Sequence, residues 1–591
     1  MMRQGLAATA LSCAVLIPAA AWADALFSFD AAPGRLSKDV VPTDYMIDLI
    51  PDLDAHTVQG RESVTLTVRK ATDHIGFNSL NQKLDHVTLD GHPVKSVESD
   101  DAQQMTILTL DKPAAPGVHR LSFSYQGKIE SNPYGLYTQS YKTPDGASGR
   151  LLSTKFEATD ARRMFPCWDE PAFRATFQLS LTGPADWSTI SNMPIARRSV
   201  HGSTATVQFQ RTPKMPTYLV ELTAGDFAEV SSKQGAVKLG IWAVRGQQEG
   251  GREALRNAEM IQADYNDYFG YSFPLPKLDS IATPGGFTGA MENWGAITYN
   301  DQILLITPAS TLADRQAVFS VQAHEMAHQW NGDLVTMGWW DDLWLNESFA
   351  SWRAAKETDA HFPEWHWQEK QDARKEDAMT ADARLTSHAI QVHVTNEMEA
   401  RSAFDPQITY SKGQAVLRML EAYVGPDRFR DGVRAYMKAH AFSNATSADL
   451  WAALDGVGGG KASAVAASWT EQPGFPLVGA ASSCDASGNR SLTLSQARFL
   501  LRGEDQDHHL WQVPLQLRSG VKAEPQTFLL TEASQMVPAG HCGEALSLNA
   551  GALGYFRIAY DDATLDADIR DFRTMPSGDR IALLDDQWAL V

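Results

Sequence analysis

The chain has 591 residues, with 51 basic against 71 acidic side chains and a formal net charge of −20. It is too long for a single hydrophobic core and is expected to divide into three or four domains; without a clustered basic tract it argues against nucleic acid as a partner. Of its four cysteines, Cys13 falls in an apolar leader, so Cys167, Cys484 and Cys542 remain, too few for a disulfide scaffold.

At the start, Met1-Met2-Arg3, an apolar run from Leu6 to Ala21, and Ala21-Trp22-Ala23 before Asp24 have the layout of a cleavable secretory signal. Residues 1–23 are assigned to it, with cleavage after Ala23 and a secreted or periplasmic mature chain. The run contains Ser12 and Pro18 and meets no charged stop, which favours cleavage over anchoring, and no later run is long enough to span a membrane.

Residues 24–243 read as a β domain, because stretches such as Ser63-Val64-Thr65-Leu66-Thr67-Val68 alternate and turn residues separate them. Residues 244–475 read as a helix-rich domain, beginning with helical spacing from Ala254 to Tyr268. Alternation returns over residues 476–562, giving a small β-sandwich in which Cys484 and Cys542 either pair or stay separate thiols. Residues 563–591 read as a linker and a helix whose apolar side chains need a partner. The run Gly456-Val457-Gly458-Gly459-Gly460-Lys461-Ala462 is a decoy for a phosphate loop, since Asp455 and Ala462 stand where Gly and Ser or Thr are required.

The chemistry concentrates at His324-Glu325-Met326-Ala327-His328, inside a helix expected from Val318 to Trp330. Residues four apart share a helix face, so both imidazoles can meet one ion. Zinc needs a third protein ligand if one position is to stay open, and Glu347, near the start of a second helix, completes an H-E-x-x-H-x18-E set. Two neutral imidazoles and one carboxylate leave a net positive centre that lowers the pKa of a bound water, and Glu325 is placed to act as its general base. This much implies one zinc ion and a hydrolase, without saying which end of a peptide it cuts.

Further motifs narrow the choice. Gly289-Ala290-Met291-Glu292-Asn293, the H-E-x-x-H-x18-E set, Phe404-Asp405 to Tyr410-Ser411-Lys412-Gly413, Phe156-Glu157-Ala158-Thr159-Asp160 and Phe165-Pro166-Cys167-Trp168-Asp169-Glu170-Pro171 stand in the order in which they occur in a known family. The chain resembles the zinc aminopeptidases of the aminopeptidase N and puromycin-sensitive aminopeptidase family. That resemblance implies an α+β multidomain fold with a thermolysin-like catalytic domain and a C-terminal helical domain of which only the first helix is present. It implies that Glu292 and Glu157 bind the free α-ammonium of a peptide, that Gly289 and Ala290 with the rest of their stretch align its backbone, and that Tyr410 donates to the oxyanion.

Lys155 departs from the family pattern, where several members carry Gln, and Thr288 is a candidate for the first side-chain pocket. Two other readings stay open: a zinc-containing peptide-binding module without turnover, and an epoxide hydrolase of the leukotriene hydrolase branch. Ala290, where that branch carries Gly, favours the plain aminopeptidase.

Overall fold

The computed structural model describes residues 25–143, 145–285, 289–458 and 462–591. The leader, its cleavage point at Asp24, Thr288 and the glycines of the decoy run at 459–460 lie outside the described residues.

The N-terminal unit is built on an eight-stranded sheet in which Val40–Asp52 lies between an antiparallel neighbour, Thr57–Val68, and a parallel one, Thr176–Pro184. The period of two shows in its burial: Tyr45, Ile47 and Leu49 are buried, whereas Met46 and Ile50 face solvent. A smaller sheet, Ser188–Ser191, Leu222–Gly225, Ser148–Lys155 and Gly135–Lys142, packs beside it, and the chain leaves it directly into Glu157.

A five-stranded sheet follows, ordered Phe227–Gln234, Val237–Val244, Lys277–Thr283, Ala296–Asn300, Ala290–Met291. Phe227–Gln234 and all but the last residue of Val237–Val244 fall within residues 24–243, the stretch read from sequence as the N-terminal β domain, yet they pair into the sheet whose edge strand is Ala290–Met291. Alternation reveals a strand but not the sheet it joins. Helix α1 (Arg252–Phe269), ended by left-handed Gly270, makes the crossover between parallel strands, and Ala290–Met291 forms a short antiparallel edge.

Helix α2 (Leu312–His328) starts earlier than its apolar pattern indicated, because Thr311 and Asp314 form a reciprocal capping box. It packs against α3 (Trp344–His361), and α4 (Trp367–Asp382) and α5 (Gly413–Val424) follow. Between α4 and α5 stands a π-helical turn, Pro406–Lys412, that alternation and 3.6-residue spacing alike fail to signal.

The last β unit pairs a four-stranded sheet with a three-stranded one, and Cys484 and Cys542 are disulfide-bonded across it. Two helices, Asp562–Asp571 and Ser577–Ala589, close the chain; Ala582 and Leu583 of the second are buried while Leu584 and Trp588 are exposed. One large cluster of buried apolar side chains runs through the N-terminal unit, the helical unit and the last β unit, so these share an interior, and a smaller separate cluster, Tyr137, Tyr141, Leu151, Ile190, Phe227, Val244, Ile281 and Ala296, lies between the small sheet and the five-stranded one. Among the described residues no helix is long and apolar enough to cross a membrane.

Candidate active site and metal centre

The C-terminal half of α2 presents His324 and His328 one turn apart, and the first turn of α3 presents Glu347 to them. His324 Nε2 lies 3.1 Å from His328 Nε2, and Glu347 Oε2 is 3.3 Å from the first and 3.5 Å from the second. A tetrahedral zinc with bonds of about 2.0–2.2 Å needs donor atoms about 3.3 Å apart, so this triangle has the right size and donor set for zinc. The other ring nitrogens are occupied: His328 Nδ1 is 3.2 Å from the Asn331 carbonyl and His324 Nδ1 is 3.3 Å from Ser351 Oγ. Donating Nδ1–H to those oxygens leaves each Nε2 lone pair free for a metal.

Four carboxylates crowd this centre. Burial pushes Glu325, Glu157 and Glu292 above the ordinary glutamate range, and repulsion from neighbouring carboxylates, Glu347 among them, adds to it in all three, while the His328 imidazole opposes the shift. Glu347 is the exception: although burial opposes ionisation, His328 and His324 hold it well below the usual range. Burial alone would lower His328, but Glu292 and Glu347 outweigh it and raise the imidazole. So dense a cluster of buried anions is an environment that a dication neutralises.

A cavity of about 450 Å³ opens on the centre, lined by Glu157, Glu292, Gly289, Ala290, Glu325 and Tyr410 among others. Among the described residues, buried oxygens Glu157 Oε1 and Glu292 Oε1 have no hydrogen-bond partner. A second cavity of about 480 Å³ shares Gly289, Ala290, His324, Glu325 and Tyr410 with the first, but not Glu157 or Glu292. Tyr410 stands with its ring nearly parallel to that of His324, centroids 6.3 Å apart. Burial, reinforced by the negative charge of Glu347, raises its phenol well above the ordinary value, so it remains a hydrogen-bond donor at neutral pH.

Not every residue of the glycine-led stretch faces this space. Met291 and Asn293 are buried and do not line the cavity; Asn293 Nδ2 instead donates to Glu221 Oε2 at 3.0 Å. Glu221 is itself fully buried, and burial, only partly offset by the Thr223 and Thr154 hydroxyls, pushes it up to about 8. Asn293 thus anchors the turn, and Gln329 completes the anchor by donating to the Glu292 carbonyl at 2.7 Å while accepting from Gly295 N–H at 2.9 Å.

Sequence reasoning missed Gln329, although a buried polar residue directly after the second histidine is a signal. It also missed Tyr134 and Arg401, which line the cavity with the Arg401 guanidinium 4.4 Å from the Tyr134 ring. They lie far apart in sequence, and neither belongs to a motif.

Two family models match the chain: the peptidase M1 N-terminal domain over residues 41–219 and the peptidase family M1 domain over residues 253–469. An aminopeptidase N of Acetobacter pasteurianus is 44% identical over 354 residues, which is 59% of this chain and 100% of that protein. The chain belongs to peptidase family M1.

Two longer relatives are 36% identical: aminopeptidase M1 of Arabidopsis thaliana and the puromycin-sensitive aminopeptidase of Caenorhabditis elegans, each matched over 94% of this chain. The chain spans 65% and 60% of their lengths. Peptidase family M1 membership agrees with the His324, His328, Glu347 donor set and with the α+β multidomain architecture.

Proposed function

We propose that this protein is a zinc aminopeptidase that releases single residues from the free N-terminus of peptides. The observation that carries the reading is the meeting, in one cavity, of the His324, His328, Glu347 triangle with two buried carboxylate oxygens, on Glu157 and Glu292, that have no hydrogen-bond partner among the described residues. Held by the triangle, one zinc ion would supply Lewis-acid polarisation of a water and of the scissile carbonyl.

The chain's own residues do the rest. Glu157 and Glu292 accept charge-assisted hydrogen bonds from the α-ammonium, which an internal peptide nitrogen cannot make, so an endopeptide leaves two buried carboxylates unpaired. Gly289 and Ala290, on the sheet edge beside Ala296–Asn300, offer backbone groups along which a peptide of any sequence can lie as an added strand. Glu325 takes the proton from the attacking water and returns it to the leaving amine, and Tyr410 donates its hydroxyl proton in a hydrogen bond to the developing oxyanion. Because the amine site lies in the first cavity only, the remainder of the peptide leaves through the second.

An oxidising compartment, outside the cell or in the periplasm, belongs to the same reading. The leader-like sequence of residues 1–23 and the Cys484–Cys542 bond both support it.

Hydrolysis of aminoacyl-arylamides with and without N-acetylation tests the activity. Cleavage restricted to free-amine substrates, abolished by chelator and restored by zinc, is expected. Turnover of acetylated substrates, or none in a zinc-loaded chain, overturns it.

A further inference from the structure

Tyr410 sits on the π-helical turn Pro406–Lys412, a rare arrangement that occurs mostly as single turns within α-helices and frequently at functional sites. Contacts at its entrance, middle and exit hold the turn. At its entrance the Asp405 carboxylate accepts from Gln407 N–H at 2.7 Å and from Ile408 N–H at 3.0 Å. In the middle, Ser348, the residue after metal ligand Glu347, donates its hydroxyl to the Thr409 carbonyl at 2.6 Å. At the exit, two residues beyond Tyr410, the Lys412 side chain is completely buried.

Lys412 Nζ is 2.9 Å from the Asp382 carboxylate at the end of α4, and both side chains have no exposed surface. Each partner is also fixed to one glycine: Lys412 donates to the Gly474 carbonyl at 3.0 Å, and Asp382 accepts from Gly474 N–H at 2.9 Å. Gly474 adopts φ of 84° just ahead of strand Pro476–Cys484, and the Lys412 ammonium lies 5.7 Å from the Tyr555 ring of the same β-sandwich. A lysine could leave the interior by snorkelling if packing were its only task; this one is enclosed among a carboxylate, a carbonyl and a ring.

We infer that Lys412 and Asp382 are positioning residues that fix the Tyr410 hydroxyl over the metal centre and make its placement depend on the β-sandwich at residues 476–562. This rests on the role given to Tyr410 in the proposed function. The α4 helix transmits the same dependence along its length, since Lys375 donates to the Ala552 carbonyl at 3.1 Å. Gly413, next in the chain, allows no side chain, because an added Cβ would lie 2.0 Å from Ser348 Oγ. The turn is thus seated between the helix of the third metal ligand and the sandwich.

The test uses the full zinc-loaded chain and the double variant Lys412→Met with Asp382→Asn, which removes both buried charges together so that neither is left unpaired. Its kcat for an aminoacyl-arylamide is expected to fall by about tenfold or more with KM changed by less than about threefold, as for loss of an interaction made chiefly in the transition state. Introduced into a Tyr410→Phe background, the same pair should cost little further activity; full multiplicative loss there overturns the inference, because the pair would then act elsewhere.

A readout independent of turnover is the ¹⁹F resonance of 3-fluorotyrosine at position 410, which should shift or broaden in the double variant. An unchanged resonance in the folded, zinc-bound double variant overturns the inference. Undiminished activity of Tyr410→Phe alone would instead remove the catalytic role of Tyr410 and leave the resonance to decide its placement.

Discussion

At the scale of single residues, Glu325 and Glu62 show opposite uses of a buried carboxyl. Glu325 lies against the metal centre, and replacing it with Gln keeps its shape while removing its capacity to take a proton. The variant should bind zinc normally and lose at least about a hundredfold in kcat, which metal analysis and steady-state kinetics together would check. Near-normal turnover would exclude it as the base. Glu62, in strand Thr57–Val68, is buried with neither oxygen partnered among the described residues, and burial raises it well above the ordinary range.

Around Glu62 stand Tyr45, Tyr125 and Cys167, none of them cationic. Below the usual glutamate range both folded and unfolded chains hold the proton. As pH rises through that range the unfolded chain releases it first, so stability declines with pH until the folded group also ionises. Glu62→Gln should remove that decline and raise Tm more at pH 8 than at pH 5. Equal Tm gains at the two values would show that the carboxyl is not protonated in the fold.

At the scale of elements, what could be read in the sequence was what has a period. Helix α1, the histidine-bearing part of α2 and the strands of both β units declare themselves through apolar spacing, and the H-E-x-x-H pair follows from helix geometry alone. The π-helical turn under Tyr410 and the two-residue strand Ala290–Met291 have no such period; motif resemblance singled out their residues but not the elements. Strands Phe227–Gln234 and Val237–Val244 were recognisable as strands, but their membership in the catalytic sheet is a tertiary choice.

Cysteine pairing was likewise open in the sequence and is settled by cross-strand placement. Strands Pro476–Cys484 and Asn489–Arg498 pair antiparallel, as do Asn489–Arg498 and Ser534–His541, which brings Cys542 to Cys484. The bond closes a loop of sequence separation 58, for which chain-entropy arguments give about 4 kcal/mol. A Cys484→Ser, Cys542→Ser variant should unfold its β-sandwich at lower denaturant, with hydrogen exchange there accelerated before exchange in α2 and α3. Uniform acceleration across the molecule would show that the shared apolar interior makes unfolding one event.

For the molecule as a whole, the cavity exists because two units meet. Glu157 comes from the N-terminal unit, whereas Glu292, Glu325, the metal triangle and Tyr410 all come from the unit that follows. Their relative position is fixed by a buried cluster in which Glu397, on the second unit, faces Arg162 at 3.2 Å and also pairs with Arg35, while Arg162 is 2.9 Å from Asp169. Burial alone would raise Glu397, but Arg35 and Arg162 hold it below the usual range. Its stabilisation is therefore present above the ordinary glutamate range and lost as pH falls through the lowered value.

Glu397→Gln leaves part of the buried guanidinium charge uncompensated and should cost about 3–5 kcal/mol. Since it loosens the unit that supplies Glu157 and not the one that supplies Glu325, KM for free-amine substrates should rise severalfold while kcat changes less. Kinetics at pH 7.5, measured well below the variant's Tm, would check this. A fall in kcat at constant KM would mean that the cluster supports the segment leading to Tyr410 and not the alignment of the two units.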